Sequence, residues 1–199
     1  MTTDTTSIIT STIDDRKDYY TALYQAALTI TSSLEIEQVL QSVVKSTAEA
    51  MQVKACGLRL FHPDTGQLQL AAVYGLSSDY LAKGSVAIGQ SPIDRETLGG
   101  KSVFVEDARI DSRFHYRDAA KQEGIVSVLS VPLEVHGSAI GVMRVYTDTV
   151  TIFEESDIQF LSVLASLAAL AIDNAHLYEN LKNSFNSVMD ALWGVNVSL

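Results

Sequence analysis

The chain reads as an α+β layered domain, a strand-and-loop body enclosed by helices at both ends. Three observations predict this. All three prolines (Pro63, Pro92, Pro132) and every glycine except Gly194 fall between Gly57 and Gly141, and both residue types punctuate turns and disfavour helix interiors. Within that middle, alternating apolar segments flank tight-turn sequences, as β-hairpins require. On either side of it, apolar residues recur at helical spacing with no breaker among them.

The elements follow in order. Ile13, Tyr20, Leu23, Ala27, Ile30 and Leu34 fall on alternating three- and four-residue steps, with Arg16 the polar exception, which makes a helical seam. Ser32-Ser33-Leu34-Glu35 offers a capping box, and a second helix with the stripe Ile36, Val39, Leu40, Val43, Val44, Thr47 and Met51 follows. Cys56–His62 and Gln67–Tyr74 flank Pro63-Asp64-Thr65-Gly66 and form a first hairpin. Ser102–Val105 is a short strand. A charged segment enters a helix at Arg117–Glu123, which Gly124 terminates. Ser127–Val135 and Ala139–Thr147 flank His136-Gly137-Ser138 and form a second hairpin. The last helix begins near Glu154, where Glu154, Glu155 and Asp157 complement the positive end of its dipole. From Ile158 to Ile172 it is apolar nearly all round and needs cover on two sides. Leu161, Leu164, Ala168, Ala171, Ala175, Tyr178, Phe185 and Met189 keep a heptad step, with Lys182 the polar entry. A helix from Glu154 to Lys182 is roughly 40 Å long at about 1.5 Å per residue and protrudes from a compact body.

Composition narrows the function. With 199 residues, 47% of them hydrophobic and 19% charged, the chain is globular and large enough to bury a core without staples. A net charge of −10 repels phosphate, which argues against nucleic-acid and anionic-membrane partners. Cys56 stands alone, which excludes an internal disulfide and suits a reducing compartment. Asp4, Asp14, Asp15, Arg16, Lys17 and Asp18 leave no apolar signal segment at the start, and Ile158–Ile172 is short for a bilayer span. The expectation is a cytoplasmic protein.

Several stretches, in their order and spacing, make the chain similar to the GAF family of small-molecule sensor domains. They are Ser33–Leu40, Val105-Glu106-Asp107-Ala108-Arg109 with Arg113-Phe114, Ser130-Val131-Pro132-Leu133, Ile140-Gly141-Val142-Met143, and Phe153-Glu154-Glu155-Ser156-Asp157-Ile158. The resemblance covers residues 20–181, with an N-terminal extension of residues 1–19, partly helical, and a C-terminal helical extension of residues 182–199. It implies a PAS-related central antiparallel sheet of five to six strands. Terminal helices lie on one face; loops and short helices close a ligand pocket on the other. It further implies a homodimer joined through those helices, here through Tyr20, Leu23, Ala27, Ile30, Leu164, Ala168, Ala171, Ala175 and Tyr178. Family members usually pass signals to an output module. Only 18 residues follow Leu181, so the expectation is a stand-alone sensor or one whose output lies on a separate protein.

Alternation separates Arg59 and Phe61 from Leu58 and Leu60, and Arg144 and Tyr146 from Met143 and Val145. The family layout turns the aliphatic set toward the helices and leaves Arg59, Phe61, Arg144 and Tyr146 for the pocket. Two guanidiniums under a lid suit a carboxylate- or phosphate-bearing ligand; alternatively they pair with Glu106, Asp107 or Asp111 and stabilise the lid. Tyr74, Asp107, Phe114, His115 and Ser130 complete the candidate set, with Phe114 turned inward from a polar lid. His115 sits about where bilin-binding members carry their attaching cysteine, so the resemblance argues against a covalent bilin. Haem ligation by His115 or His136 has no ligand-like clustering behind it. Phosphodiesterase-type members carry an Asn-Lys pair before Phe-x-x-x-Asp-Glu; here Phe153-x-x-x-Asp157 is followed by Ile158 and no Asn-Lys occurs. Relatives that reduce free methionine sulfoxide use paired cysteines, and Cys56 has no partner in the chain. The ligand itself is unidentified. Three readings remain: a ligand sensor, a dimerisation or adaptor module with an empty pocket, and, behind both, a redox enzyme using Cys56. The apolar tail Val188, Leu192, Trp193, Val195 and Val197 calls for cover by a partner or the far end of the dimer seam.

Overall fold

The structure is a computed structural model that describes residues 19–28, 35–82 and 84–193. Ile13, Ile30, Leu34, most of the Ser32–Glu35 capping box, nearly all of the N-terminal extension, and Val195 and Val197 lie outside the described residues.

Helix α1 covers residues 19–28 and α2 Ile36–Ala50. Strands β1 (Ala55–His62) and β2 (Gln67–Tyr74) come next, then α3 (Ser78–Leu81), β3 (Val86–Ala87), a 3-10 turn at Ile88–Gln90, and α4 (Pro92–Leu98). β4 (Val103–Val105), α5 (Arg117–Glu123), β5 (Val128–Val135), β6 (Ser138–Tyr146) and α6 (Glu155–Trp193) complete the chain. The six strands form one sheet in the order β3-β2-β1-β6-β5-β4, with β1–β2, β2–β3, β1–β6, β5–β6 and β4–β5 all antiparallel.

Local chemistry explains the hairpins. Val135 opposes Ser138 across a two-residue turn in which His136 (φ 51°) and Gly137 (φ 76°) are both left-handed, the geometry that matches the strand twist. Helix α4 starts where the Ser91 side chain accepts from the Asp94 N–H and Pro92 takes the first turn. Helix α6 meets no glycine or proline before Gly194 and runs 39 residues, about 58 Å.

Helices α2 and α6 lie on one face of the sheet. Their Val39, Val43, Val44, Leu161, Leu164, Ala165 and Ala168 pack against Cys56, Leu58, Leu129, Val131, Leu133, Met143 and Val145. Helix α1 joins this core through Ala22 and Ala26. Tyr19 stacks on Phe160 at 3.9 Å and donates to Asp157 Oδ1 at 2.6 Å. Helix α6 is long and apolar enough to cross a membrane by length and hydropathy alone, and its Leu161, Leu164, Ala165 and Ala168 side is buried in this core. The opposite face carries α3, α4, α5 and the loops between them, with Ala55, Tyr80, Ile93, Val105, Phe114, Ile125, Val128 and Tyr146 as a second core.

Two of these packings change the expected dimer seam. Leu164 and Ala168 are fully buried, and Ala171 nearly so, against the chain's own sheet. The row left outside on α6 is Val163, Leu170, Leu177, Tyr178, Leu181, Phe185 and Val188; on α1 it includes Tyr20, Tyr24 and Leu28. Leu23 packs on the core and Ala27 and Ala175 are half-buried.

Candidate functional site

Strands β1 and β6 build the site because they run side by side with Arg59 opposite Val142 and Gly57 opposite Arg144. Alternation turns Arg59 and Arg144 to the loop-covered face while Leu58, Met143 and Val145 face the helices. Both arginines are buried, with 7% and 8% of their surface exposed. Arg144 Nη2 donates to Asp94 Oδ1 at 2.5 Å and lies 3.4 Å from Ser130 Oγ; the hydroxyl of Thr97 is 3.2 Å from that of Ser130. Arg144 Nε has no acceptor among the described residues. Burial opposes the Arg144 charge, but Asp94 and the phenols of Tyr146 and Tyr80 outweigh it and hold the guanidinium above the ordinary arginine value. Arg59 Nη1 donates to the carbonyls of Leu68 and Gly84, each at 3.3 Å. Tyr80 and Tyr146 meet edge to face at 6.3 Å, and burial pushes the Tyr80 phenol well up.

Two small cavities sit on this floor. One is bounded by Gly57, Arg59, Leu70, Leu76, Val142, Arg144 and Tyr146. The other lies under the roof formed by Tyr80, Ile93, Asp94, Phe114, His115 and Tyr116. Each measures about 10 Å³, room for about one water. The roof is fastened to the floor by Asp94–Arg144, and α3 is fastened to α5 by the Glu123 carboxylate, which accepts from the Ser77 N–H at 3.0 Å and from its hydroxyl.

Arg59, Phe114, His115, Arg144 and Tyr146 therefore converge, and Ser130 supports Arg144 from β5. Phe114 is buried, whereas His115 is exposed at the rim beside Tyr116, ring to ring at 4.7 Å. Phe61 is on the same face and packs with Leu68, Val86 and Val142, but lines neither cavity. Two expectations fail on position. Tyr74 packs on the helix side: the register slips between Leu58/Ala72 and Arg59/Leu70, leaving Ala71 as an extra residue that reverses the alternation of β2. Asp107 is in the loop after β4 and pairs with Arg109 at 2.7 Å, bordering an open groove with Phe104, Glu106, Ile110, Asp111, Arg113 and Val150. The proposed lid acids do not reach the arginines either, since Asp111 is taken by Arg113 at 2.7 Å. The carboxylate that does reach is Asp94, unforeseen although Ser91-Pro92 announces a helix start at which it sits. Tyr80, likewise unforeseen, belongs to a one-turn helix with no periodic signature.

Cys56 lies on the helix face, fully buried, and burial pushes its thiol far up, away from the thiolate. Among the described residues no group of three His, Cys, Asp or Glu side chains comes together to hold a metal.

A curled antiparallel sheet with helices on one face and a roofed, charged floor on the other defines a two-faced α+β domain. The family model described as GAF domain matches residues 33–173, and the chain belongs to that family. Among curated proteins it is similar to the nitrogen fixation protein VnfA of Azotobacter vinelandii, 26% identical over 84% of this chain and 33% of that protein. It is also similar to the Nif-specific regulatory protein of Azospirillum lipoferum, 24% identical over 79% of this chain and 26% of that protein. The chain thus spans about a third or less of the relatives it matches. Among solved structures, the GAF domain of a phosphoenolpyruvate-protein phosphotransferase (ptsP) from Coxiella burnetii superposes with a TM-score of 0.74 at 22% identity, covering 82% of this chain and 98% of that one. A free methionine-R-sulfoxide reductase from Neisseria meningitidis, solved with its substrate, gives 0.67 at 20% identity, covering 80% and 91%. These two share the fold.

Proposed function

We propose that the chain is a small-molecule-sensing regulatory GAF domain in signal transduction, acting without catalysis of its own and coupling ligand occupancy to the packing of terminal helices in a homodimer. The observation that carries this reading is the pair of buried guanidiniums on β1 and β6 beneath a roof of short helices. Protein interiors seldom hold charge without a task, and donors fixed on a rigid sheet are suited to binding an acid group. The same strands give the coupling a route. Arg59 and Arg144 alternate with Leu58, Met143 and Val145, which touch α2 and α6, so a ligand that displaces β1 or β6 also displaces the surface on which the helices rest. With each cavity near 10 Å³, entry requires part of the roof to lift. The Nif-specific regulatory relative supports a regulatory role.

Cys56 has neither the exposure nor the partner that thiol redox chemistry needs, which supports the non-enzymatic reading over a reductase. Residues 20–181 form the sensory unit and the remainder of α6 a helical extension of it, in a cytoplasmic protein without nucleic-acid or membrane partners. The smallness of the cavities favours a second reading, a dimerisation module whose pocket is filled by its own side chains. Native mass spectrometry of freshly purified protein, followed by a thermal-shift screen of metabolites, decides between them. A bound small molecule, or stabilisation of about 2.7 kcal/mol at 100 times the dissociation constant, is expected of a sensor. A protein that is bare and unresponsive throughout is the dimerisation module.

A further inference from the structure

The charge of the site specifies its ligand, an inference that rests on the sensory reading above. Among the described residues three charged side chains are buried on the roofed face: Arg59, Arg144 and Asp94, the last only 1% exposed. Asp94 is committed to Arg144. Arg59 makes no ion pair among the described residues; its hydrogen bonds run from Nη1 alone to two neutral carbonyls, Leu68 and Gly84. A guanidinium has five N–H donors, and Arg59 borders both cavities. Beside it, Arg144 Nε is buried without an acceptor among the described residues. Among the described residues, the buried charges of the site therefore sum to one positive, and one buried donor lacks an acceptor. Burying a cation without a counter-charge is costly, and proteins seldom leave it so.

We infer that the ligand is a small organic monocarboxylate, received by Arg59, while Arg144 stays with Asp94 and holds α4 as a latch over the site. One carboxylate cancels the single excess charge. A phosphate monoester carries nearly two charges at neutral pH and leaves the site with an excess of the opposite sign. The arginines thus divide the work: one binds and the other closes.

The test uses the full chain and sodium propionate as probe, against sodium phosphate and sodium chloride at equal ionic strength, with thermal denaturation as the readout. Three proteins are compared: wild type, Arg59→Met, and Arg59→Gln, which keeps a donor for the Leu68 and Gly84 carbonyls. Propionate is expected to raise the wild-type melting temperature by about 2–4 °C above chloride and phosphate, and both variants are expected to lose that increment. Arg59→Met in chloride is expected to melt above wild type, because an unbalanced buried charge is gone. A propionate increment that survives in either variant, or an Arg59→Met protein that melts below wild type, overturns the assignment of Arg59. If the wild type gains nothing from propionate yet binds an amine or a neutral metabolite, the monocarboxylate falls and the sensory reading stands. If native mass spectrometry and the metabolite screen are also blank, both fall.

Discussion

The guanidinium of Arg144 on the central strand β6 lies 2.5 Å from the carboxylate of Asp94 on the roof helix α4, both side chains withdrawn from water. The pair joins two parts of the chain that are separated by 50 residues, and it is the charged contact by which the roof grips the sheet. Taking two ions out of water costs about what their attraction returns, but removing one of them strands the other.

Asp94→Ala is therefore expected to destabilise the domain by about 3–5 kcal/mol, read by urea denaturation. Asp94→Leu combined with Arg144→Met, which removes both charges and keeps volume, recovers most of that loss. If the double variant is as unstable as the single one, the cost lies in packing and not in the stranded ion.

The floor of the first cavity opens at Gly57, where an added Cβ meets only Tyr146 Cε2, at 3.8 Å. Gly57→Ala fits, and its methyl takes the water-sized space beside Arg59. The alanine variant is expected to keep its fold, by circular dichroism, and to lose any stabilisation by ligand. Retained stabilisation would place the binding site elsewhere.

Gly141 is needed for a different reason. A Cβ there would stand 2.3 Å from the Arg59 carbonyl oxygen and 2.9 Å from Leu133 Cδ1, so the β1–β6 pairing must open. Gly141→Ala is expected to cost about 1–3 kcal/mol, seen as a lower urea midpoint.

The two faces of α6 separate folding from association. Leu164 is wholly buried, and Leu164→Ala is expected to cost about 2–5 kcal/mol with the mass in solution unchanged. Leu170 is 47% exposed and Leu177 59%, so the pair Leu170→Glu and Leu177→Glu is expected to leave the melting of the domain intact and halve the mass measured by light scattering. A mass unaltered by that double change would remove this row from the proposed homodimer seam.

Arg113, by hydrogen bonding first and by charge second, holds the Asp111 carboxyl below the usual aspartate range. A folded-state value below the unfolded one means that the contact stabilises the loop at neutral pH and is lost as acid protonates Asp111 below about pH 4. Amide exchange in residues 106–116 is expected to quicken relative to β5 over that range, and Asp111→Asn to remove the pH dependence. The effect is local, since Arg113 is exposed and its pair screened by solvent.

Much of this was legible in the linear chain. Hairpins declare themselves locally: Pro63–Gly66 and His136-Gly137 sit between alternating segments, and the strands end within a residue or so of where those turns put them. Gly124 marks the end of α5 and takes a left-handed conformation there (φ 71°). Which face Arg59 and Arg144 occupy was also readable, because alternation with aliphatic neighbours is a property of two or three adjacent residues. Tyr74 was misread because one extra residue, Ala71, inverts the phase of a strand without leaving any mark in composition.

By itself the sequence determined the two hairpins, the helices that flank them and α5, and the faces of β1 and β6, since turn chemistry and periodicity act over a few neighbouring residues; the short elements α3, β3 and α4 are too brief to carry a period. Only the tertiary structure decided that Asp94 answers Arg144, that Arg59 has no counter-charge among the described residues, and that Leu164 and Ala168 are buried in the chain's own core. Those outcomes depend on which surfaces meet across tens of residues. A helix that is apolar all round does not announce which of its sides the sheet will claim.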